Sequence, residues 1–203
     1  IEEWPLPDSR GSTAKSWTRG QPGQRSRERI KPHLLSVMPP RLPVTTPALF
    51  TFGYEGLTID GFISRLNDAR VNLIVDVREL PLSRKKGFSK STFREHLAAA
   101  GIGYEHWPAL GCPKPVRDKY RENGDWADYT RGFLVHLDSV RTEVRNLAAT
   151  ARDHRACLVC FEADFSACHR SYVARAVRTA GGPAVHHLTA KTVFADAPAS
   201  LAA

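Results

Sequence analysis

The chain has one methionine, Met38, four cysteines, and no apolar run long enough to cross a membrane. Four thiols (Cys112, Cys157, Cys160 and Cys168) are too few to staple a chain of 203 residues. With no signal-peptide pattern beside them, they are expected to be free thiols in a reduced, cytoplasmic setting. Neither a G-x-G-x-x-G fingerprint nor a G-x-x-x-x-G-K-S/T loop occurs, so no cofactor is expected. No internal repeat is visible, which excludes a solenoid or propeller. Acid is the charge in short supply: 21 Asp and Glu stand against 29 Lys and Arg, a formal net charge of +8 and a pI near 9.6. That balance favours a polyanionic partner and says little about fold. Nucleic acid, most simply DNA, is the expected partner, with no membrane and no obligate protein partner.

What is present is a regular alternation. At 42% hydrophobic residues the chain can bury one full core. Residues 1–37, with scattered Pro, Gly, Ser and Arg and no apolar periodicity, read as a disordered or non-native extension. Residues 38–48 form a Pro-rich lead-in, 49–190 an α/β domain, and 191–203 a tail. Within the domain, "LFTFGYEG" predicts a strand closing on glycines. "TIDGFISRLNDAR" predicts a helix capped by Thr58. "VNLIVDV" and "ACLVCFEA" are apolar runs of the kind buried on both faces of a sheet. "STFREHLAAAG", "DYTRGFLVHLDSVRTEVRNLAATARD" and "ACHRSYVARAVRTAGG" predict helices, the second the longest. "IGYEHWPAL" and "AVHHLTA" are weaker strands. The sum is a single α/β domain with a mostly parallel sheet of about five strands and helices on both faces.

In such a sheet, ligands bind beyond the carboxyl ends of the strands. The residues just past each apolar run are therefore the candidates: Tyr54 and Glu55, Asp76 and Arg78, and Glu162 with the loop to Cys168, His169 and Arg170. Asp76 and Glu162 each end an apolar strand, where a carboxylate is either paired with a cation or shifted in pKa. One reading is a structural ion-pair network with Arg78 and Arg170. The sharper one is a pair of carboxylates that activates water and steadies positive charge, the logic of glycosidic-bond cleavage. Downstream of Asp76, "LSRKKGFSKSTFR" holds Ser83, Arg84, Lys85, Lys86, Phe88, Lys90 and Arg94 with no acid among them. This composition suits a phosphate backbone, with Phe88 free to stack or wedge; a solvated charge run is the alternative. A second basic loop, "CPKPVRDKYREN" with Lys114, Arg117, Lys119 and Arg121, is diluted by Asp118 and Glu122. Tyr54 and Tyr104 are expected to line the pocket.

Cysteine chemistry is the third candidate. Cys157 and Cys160 lie three apart on a strand, so they face opposite ways and read as small core residues. Cys168 starts a helix beside His169 and Arg170, where its thiolate would be favoured. A zinc site from Cys112, Cys168 and His169 lacks paired local ligands, and no metal is expected.

The string "TFGYEG", "VDVRELPLSRKKGFSK", "GIGYEHWPALG" and "CFEADFSACHR" resembles the bacterial family called domain of unknown function 488, over about Phe50 to Thr189. The resemblance implies one compact α/β domain. It implies further that Asp76, Arg78, Ser83, Phe88, Glu162, Cys168, His169 and Arg170 occupy the family's motif positions. Many members have a His after the first strand's glycine, where this chain has Tyr54. The family name carries no activity, so function is argued from the site. The leading expectation is a nucleic-acid-acting hydrolase of the DNA glycosylase type. Asp76 and Glu162 would supply the carboxylates, with Arg78, His169 and Arg170 beside them and Cys168 serving mainly to pack. The alternatives are a sulfur-handling enzyme built on Cys168 and a non-catalytic nucleic-acid-binding module.

Overall fold

The computed structural model describes residues 46–196. The expected extension 1–37, most of the lead-in and the end of the tail lie outside the described residues. Six strands form one sheet in the order β3-β2-β4-β1-β5-β6. They are β1 (Ala48–Gly53), β2 (Leu73–Asp76), β3 (Gly103–His106), β4 (Arg155–Cys160), β5 (Val185–Leu188) and β6 (Val193–Ala195). The first five run parallel; β6 pairs antiparallel with β5. The helices are α1 (Ile59–Asp68), α2 (Lys90–Ala99), α3 (Lys114–Asn123), α4 (Trp126–Ser139), α5 (Arg141–Arg152) and α6 (His169–Thr179). Among the described residues no helix is long and apolar enough to cross a membrane.

The layers follow from alternation along buried strands. On one face Phe50, Phe52, Ile74, Cys157 and Val159 meet Phe62 and Leu66 of α1 and Phe93 and Leu97 of α2. On the other, Leu49, Leu73, Val75, Ala156 and Leu158 meet Phe133 and Leu137 of α4, Leu147 of α5 and Val173 and Val177 of α6. α1 starts as the sequence predicts: the Thr58 hydroxyl accepts the Gly61 amide at 3.2 Å.

Four expectations are corrected. The tail supplies a sixth strand, held to β5 by the turn in which Thr189 and Thr192 bond to one another. "KPVRDKYREN" is a helix, stopped at Gly124 in the left-handed conformation (φ 64°). The long helix is two, broken at Val140 (φ −110°, ψ 31°). Phe88 is fully buried, stacked on Tyr54 at 4.3 Å between ring centres and packed edge-on against Phe62. In this sheet β4 and β1 are neighbours whose following helices cover opposite faces. Chains leaving adjacent strands for opposite faces open a crevice at the carboxyl edge.

Candidate functional site

The loop after β4 is fixed before any chemistry begins. A side chain at Gly53 would place its Cβ 1.7 Å from the Glu162 carbonyl oxygen, so only glycine lets the loop cross the end of β1. Arg170, fully buried, donates to the carbonyls of Glu162 (2.6 Å) and Ala163 (3.2 Å). The Ser171 hydroxyl donates to the Phe165 carbonyl, and the Ala163 amide donates to the Glu55 carboxylate at 3.0 Å.

Held this way, the loop gathers four chemical groups. Cys160, Glu162, Cys168 and His169 each turn one donor atom inward, and these atoms all lie within 4.8 Å of one another. The Glu162 Oε2 accepts from the Cys160 thiol at 2.7 Å and from the Cys168 thiol at 3.1 Å. The His169 Nδ1 stands 3.7 Å from the Cys160 sulfur and 3.8 Å from that of Cys168. Its Nε2 is 3.1 Å from the Val77 carbonyl, an acceptor only, so Nε2 carries the hydrogen and Nδ1 faces the sulfurs. Burial, then the Cys168 sulfur, pushes the Glu162 carboxyl above the usual carboxylate range. Burial opposes ionisation of Cys168, but the Cys160 hydrogen bond and the charges of His169 and Arg170 outweigh it and hold this thiol low. Cys160 goes the other way, raised by its bond to Cys168 and by burial.

The cluster forms the floor of a cavity of about 380 Å³. Cys160, Glu162 and His169 open into it, together with Cys112, Tyr129 and Tyr54. Cations ring it: Arg78, Arg84 and Lys85 after β2, Arg117 and Arg121 from α3. Arg117 pairs with Glu79 at 2.6 Å, and Glu79 is the second carboxylate that lines the cavity. Backbone from the next loop holds Glu79 there, since a Cβ at Gly111 would sit 2.4 Å from the Glu79 amide nitrogen. Leu80, Leu82 and Phe161 also line the cavity and are exposed.

A family model described as domain of unknown function DUF488 matches residues 58–177. The chain belongs to the DUF488 family. No curated protein and no solved structure matches it.

The DUF488 span holds both carboxylates of the expected pair, but the fold does not bring them to one cavity. Asp76 is fully buried, clamped by Arg78 Nε to Oδ1 (2.8 Å) and Nη2 to Oδ2 (2.5 Å), with the Tyr104 hydroxyl donating to Oδ2 at 2.8 Å. It supports Arg78, which also donates to the Tyr54 hydroxyl and the Phe88 carbonyl, both at 2.9 Å. Arg170 is likewise structural: its guanidinium meets backbone carbonyls rather than the Glu162 carboxylate, and no substrate can reach it. Of the basic loop, Ser83, Arg84 and Lys85 line the cavity. Lys86 is exposed outside it, Lys90 reaches His106 at 2.9 Å, and Arg94 is exposed on α2. Phe88 is core and cannot wedge into a stack. Tyr54 lines the cavity; Tyr104 sits beneath it on Asp76, Glu55 braces the loop, and Cys168 lies buried behind Cys160. Glu79 and the pocket-facing side of Cys160 are what sequence reasoning missed, and Arg117 and Arg121, weighed there as part of a diluted basic loop, line the cavity. The "RDKYR" spacing was a usable signal, because i and i+4 share a helix face once the stretch is helical.

Proposed function

We propose that this protein is a hydrolase acting on nucleic acid, cleaving the N-glycosidic bond of a base on a DNA strand. One observation carries the reading. Two carboxylates, Glu79 and Glu162, share a cavity of about 380 Å³ with five cationic side chains and with exposed Leu82 and Phe161 at its border. The volume lies in the range of pockets for small ligands, about 300–1,000 Å³. Arg84 and Lys85 have no acidic partner in ion-pair range among the described residues, which leaves them free for phosphates. Phe161 and Leu82 offer apolar surface to a base turned out of its stack.

In this reading water adds at the sugar C1′ and the carbon–nitrogen bond breaks, its electron pair leaving with the base. The departing base takes up a proton. A half-buried carboxyl at the cavity floor, Glu162, handles the proton of the attacking water. Glu79 replaces Asp76 as the second carboxylate of the pair and supplies a fixed negative charge beside the developing oxocarbenium ion.

The test is incubation of excess protein with oligonucleotides carrying unmodified and modified bases. Released base is measured by mass spectrometry and abasic sites by alkaline strand cleavage. Base release that fails in Glu162→Gln supports the reading; no release from any substrate sinks it. Thiol chemistry has one observation in its favour, that Cys160 opens into the cavity. Against it, the hydrogen bond to Cys168 and burial keep that thiol protonated.

A further inference from the structure

The four groups at the cavity floor have a use that proton transfer alone does not explain. We propose that Cys160, Glu162, Cys168 and His169 form a binding site for a divalent transition metal, zinc by donor chemistry.

The donor set is two sulfurs, one imidazole nitrogen and one carboxylate oxygen, all within 4.8 Å of one another. Zinc takes four such ligands at about 2.0–2.3 Å in a tetrahedron. Those bond lengths set donor–donor edges of roughly 3.3–3.8 Å. The His169 Nδ1 contacts to the two sulfurs, 3.7 and 3.8 Å, already match such edges. The Glu162 Oε2 contacts, 2.7 and 3.1 Å, are shorter and are closed by thiol hydrogens that a metal would displace.

The imidazole is oriented as a ligand. A metal-binding histidine gives its other N–H to a carbonyl or carboxylate, which fixes the ring and its tautomer. Here the Val77 carbonyl takes Nε2–H at 3.1 Å and Phe133 packs edge-on against the ring, leaving Nδ1 aimed at the sulfurs.

Charge argues the same way. Two thiolates and a carboxylate carry three negative charges, and a divalent cation reduces this to one. The fully buried Arg170 guanidinium, bonded to the carbonyls of the same loop, has no carboxylate in ion-pair range among the described residues, and its Nε is unpartnered. An anionic metal complex beside it supplies the missing countercharge. Gly53 and Arg170 anchor the loop through its backbone, so the segment carrying Glu162 is held in place without the metal. Three of the four ligands open into the cavity, which places the metal at its floor, within reach of solvent.

Metal content is read without turnover, so this proposal and the hydrolase reading fail separately; the metal takes the inward Oε2 of Glu162, which leaves Oε1 for the proton of the attacking water. Full-length protein purified with zinc supplementation is expected to hold about one metal per chain by mass spectrometry of the elements. The cobalt-substituted protein is expected to show thiolate-to-cobalt charge transfer and the intense visible bands of a tetrahedral site. Cys160→Ser and Cys168→Ser should each lose metal affinity by more than the 10–100-fold typical of an outer partner. Cys157→Ser, on the opposite face of β4, should keep it. Should the ligand variants misfold by circular dichroism, the wild type still decides: zinc should shield Cys160 and Cys168, but not Cys112, from alkylation mapped by peptide mass. Substoichiometric metal after supplementation, a cobalt spectrum without sulfur charge transfer, or equal alkylation with and without zinc overturns the proposal.

Discussion

Two neighbouring strands, β2 and β4, each deliver a carboxylate at the carboxyl edge of the sheet, and their surroundings are opposite. Asp76 is fully buried, and both its oxygens are met by strong donors: the Arg78 fork and the Tyr104 hydroxyl. Glu162 has only thiols on its inward oxygen and opens into a cavity. A carboxylate matched by a guanidinium fork is a fixture, because removing either partner leaves a buried charge alone. One whose neighbours are weak donors remains available to a proton, a metal or a substrate. The sequence presents the two acids alike; their partners divide the labour.

The comparison breaks most visibly at Arg78. Arg78→Ala strands the buried Asp76 charge and should cost about 3–5 kcal/mol of stability. Denaturant unfolding measures this, and a loss below ~1 kcal/mol would show that Asp76 is not held as a fixture. Glu162→Gln sharpens the other side. It keeps volume and removes charge, so folding should hold within about 1 kcal/mol while base release falls about 100-fold or more. Intact turnover in Glu162→Gln would move the chemistry elsewhere in the cavity.

A third test separates the two parts of the basic loop. Arg84 and Lys85 line the cavity, whereas Lys86 and Arg94 are exposed away from it. Changing Arg84 and Lys85 together to Ala should flatten the salt dependence of DNA binding by about one to two units of log–log slope. The Lys86 and Arg94 pair should change it less, if the strand enters over the cavity. Equal slopes for both pairs would return the loop to a solvated charge run.

Much of this was legible because apolar runs such as "NLIV" and "CLV" have few alternatives to buried strands. Less legible was α3, none of whose residues is buried; its apolar signal rests on Val116 and Tyr120 alone. The break at Val140 carries no Gly or Pro to announce it. β6 is three residues long, its side chains exposed, and exists because a Thr-rich turn returns it to β5. Within the site, the Asp76–Arg78 pair could be read at a spacing of two. The meeting of Cys160 with Cys168 could not, since it needs a loop folded back over Gly53 and pinned by Arg170. Phe88 misled because a single aromatic among cations looks like a stacking residue; the apolar pocket that takes it is built from Tyr54, Phe62 and Phe93, all distant or downstream in sequence.

The smallest effect tests the finest part of the comparison. Tyr104 comes from β3, the strand beside β2, and gives Asp76 Oδ2 a hydrogen bond of 2.8 Å. Burial and then the Asp76 charge push its phenol above the usual tyrosine range, so the hydroxyl stays protonated and remains a donor at any ordinary pH. Tyr104→Phe removes that donor and little else. The oxygen keeps Arg78 Nη2, so it is not orphaned, and the loss should be about 1.5–3 kcal/mol, the scale of one hydrogen bond to a charged group. Unfolding midpoints give the number. Because Tyr104 lies outside the cavity, base release should stay within about twofold of wild type, small against the effect of Glu162→Gln. A turnover loss in Tyr104→Phe comparable to that of Glu162→Gln would mean that Asp76 does more than brace Arg78, and the division between the two strand ends would fall.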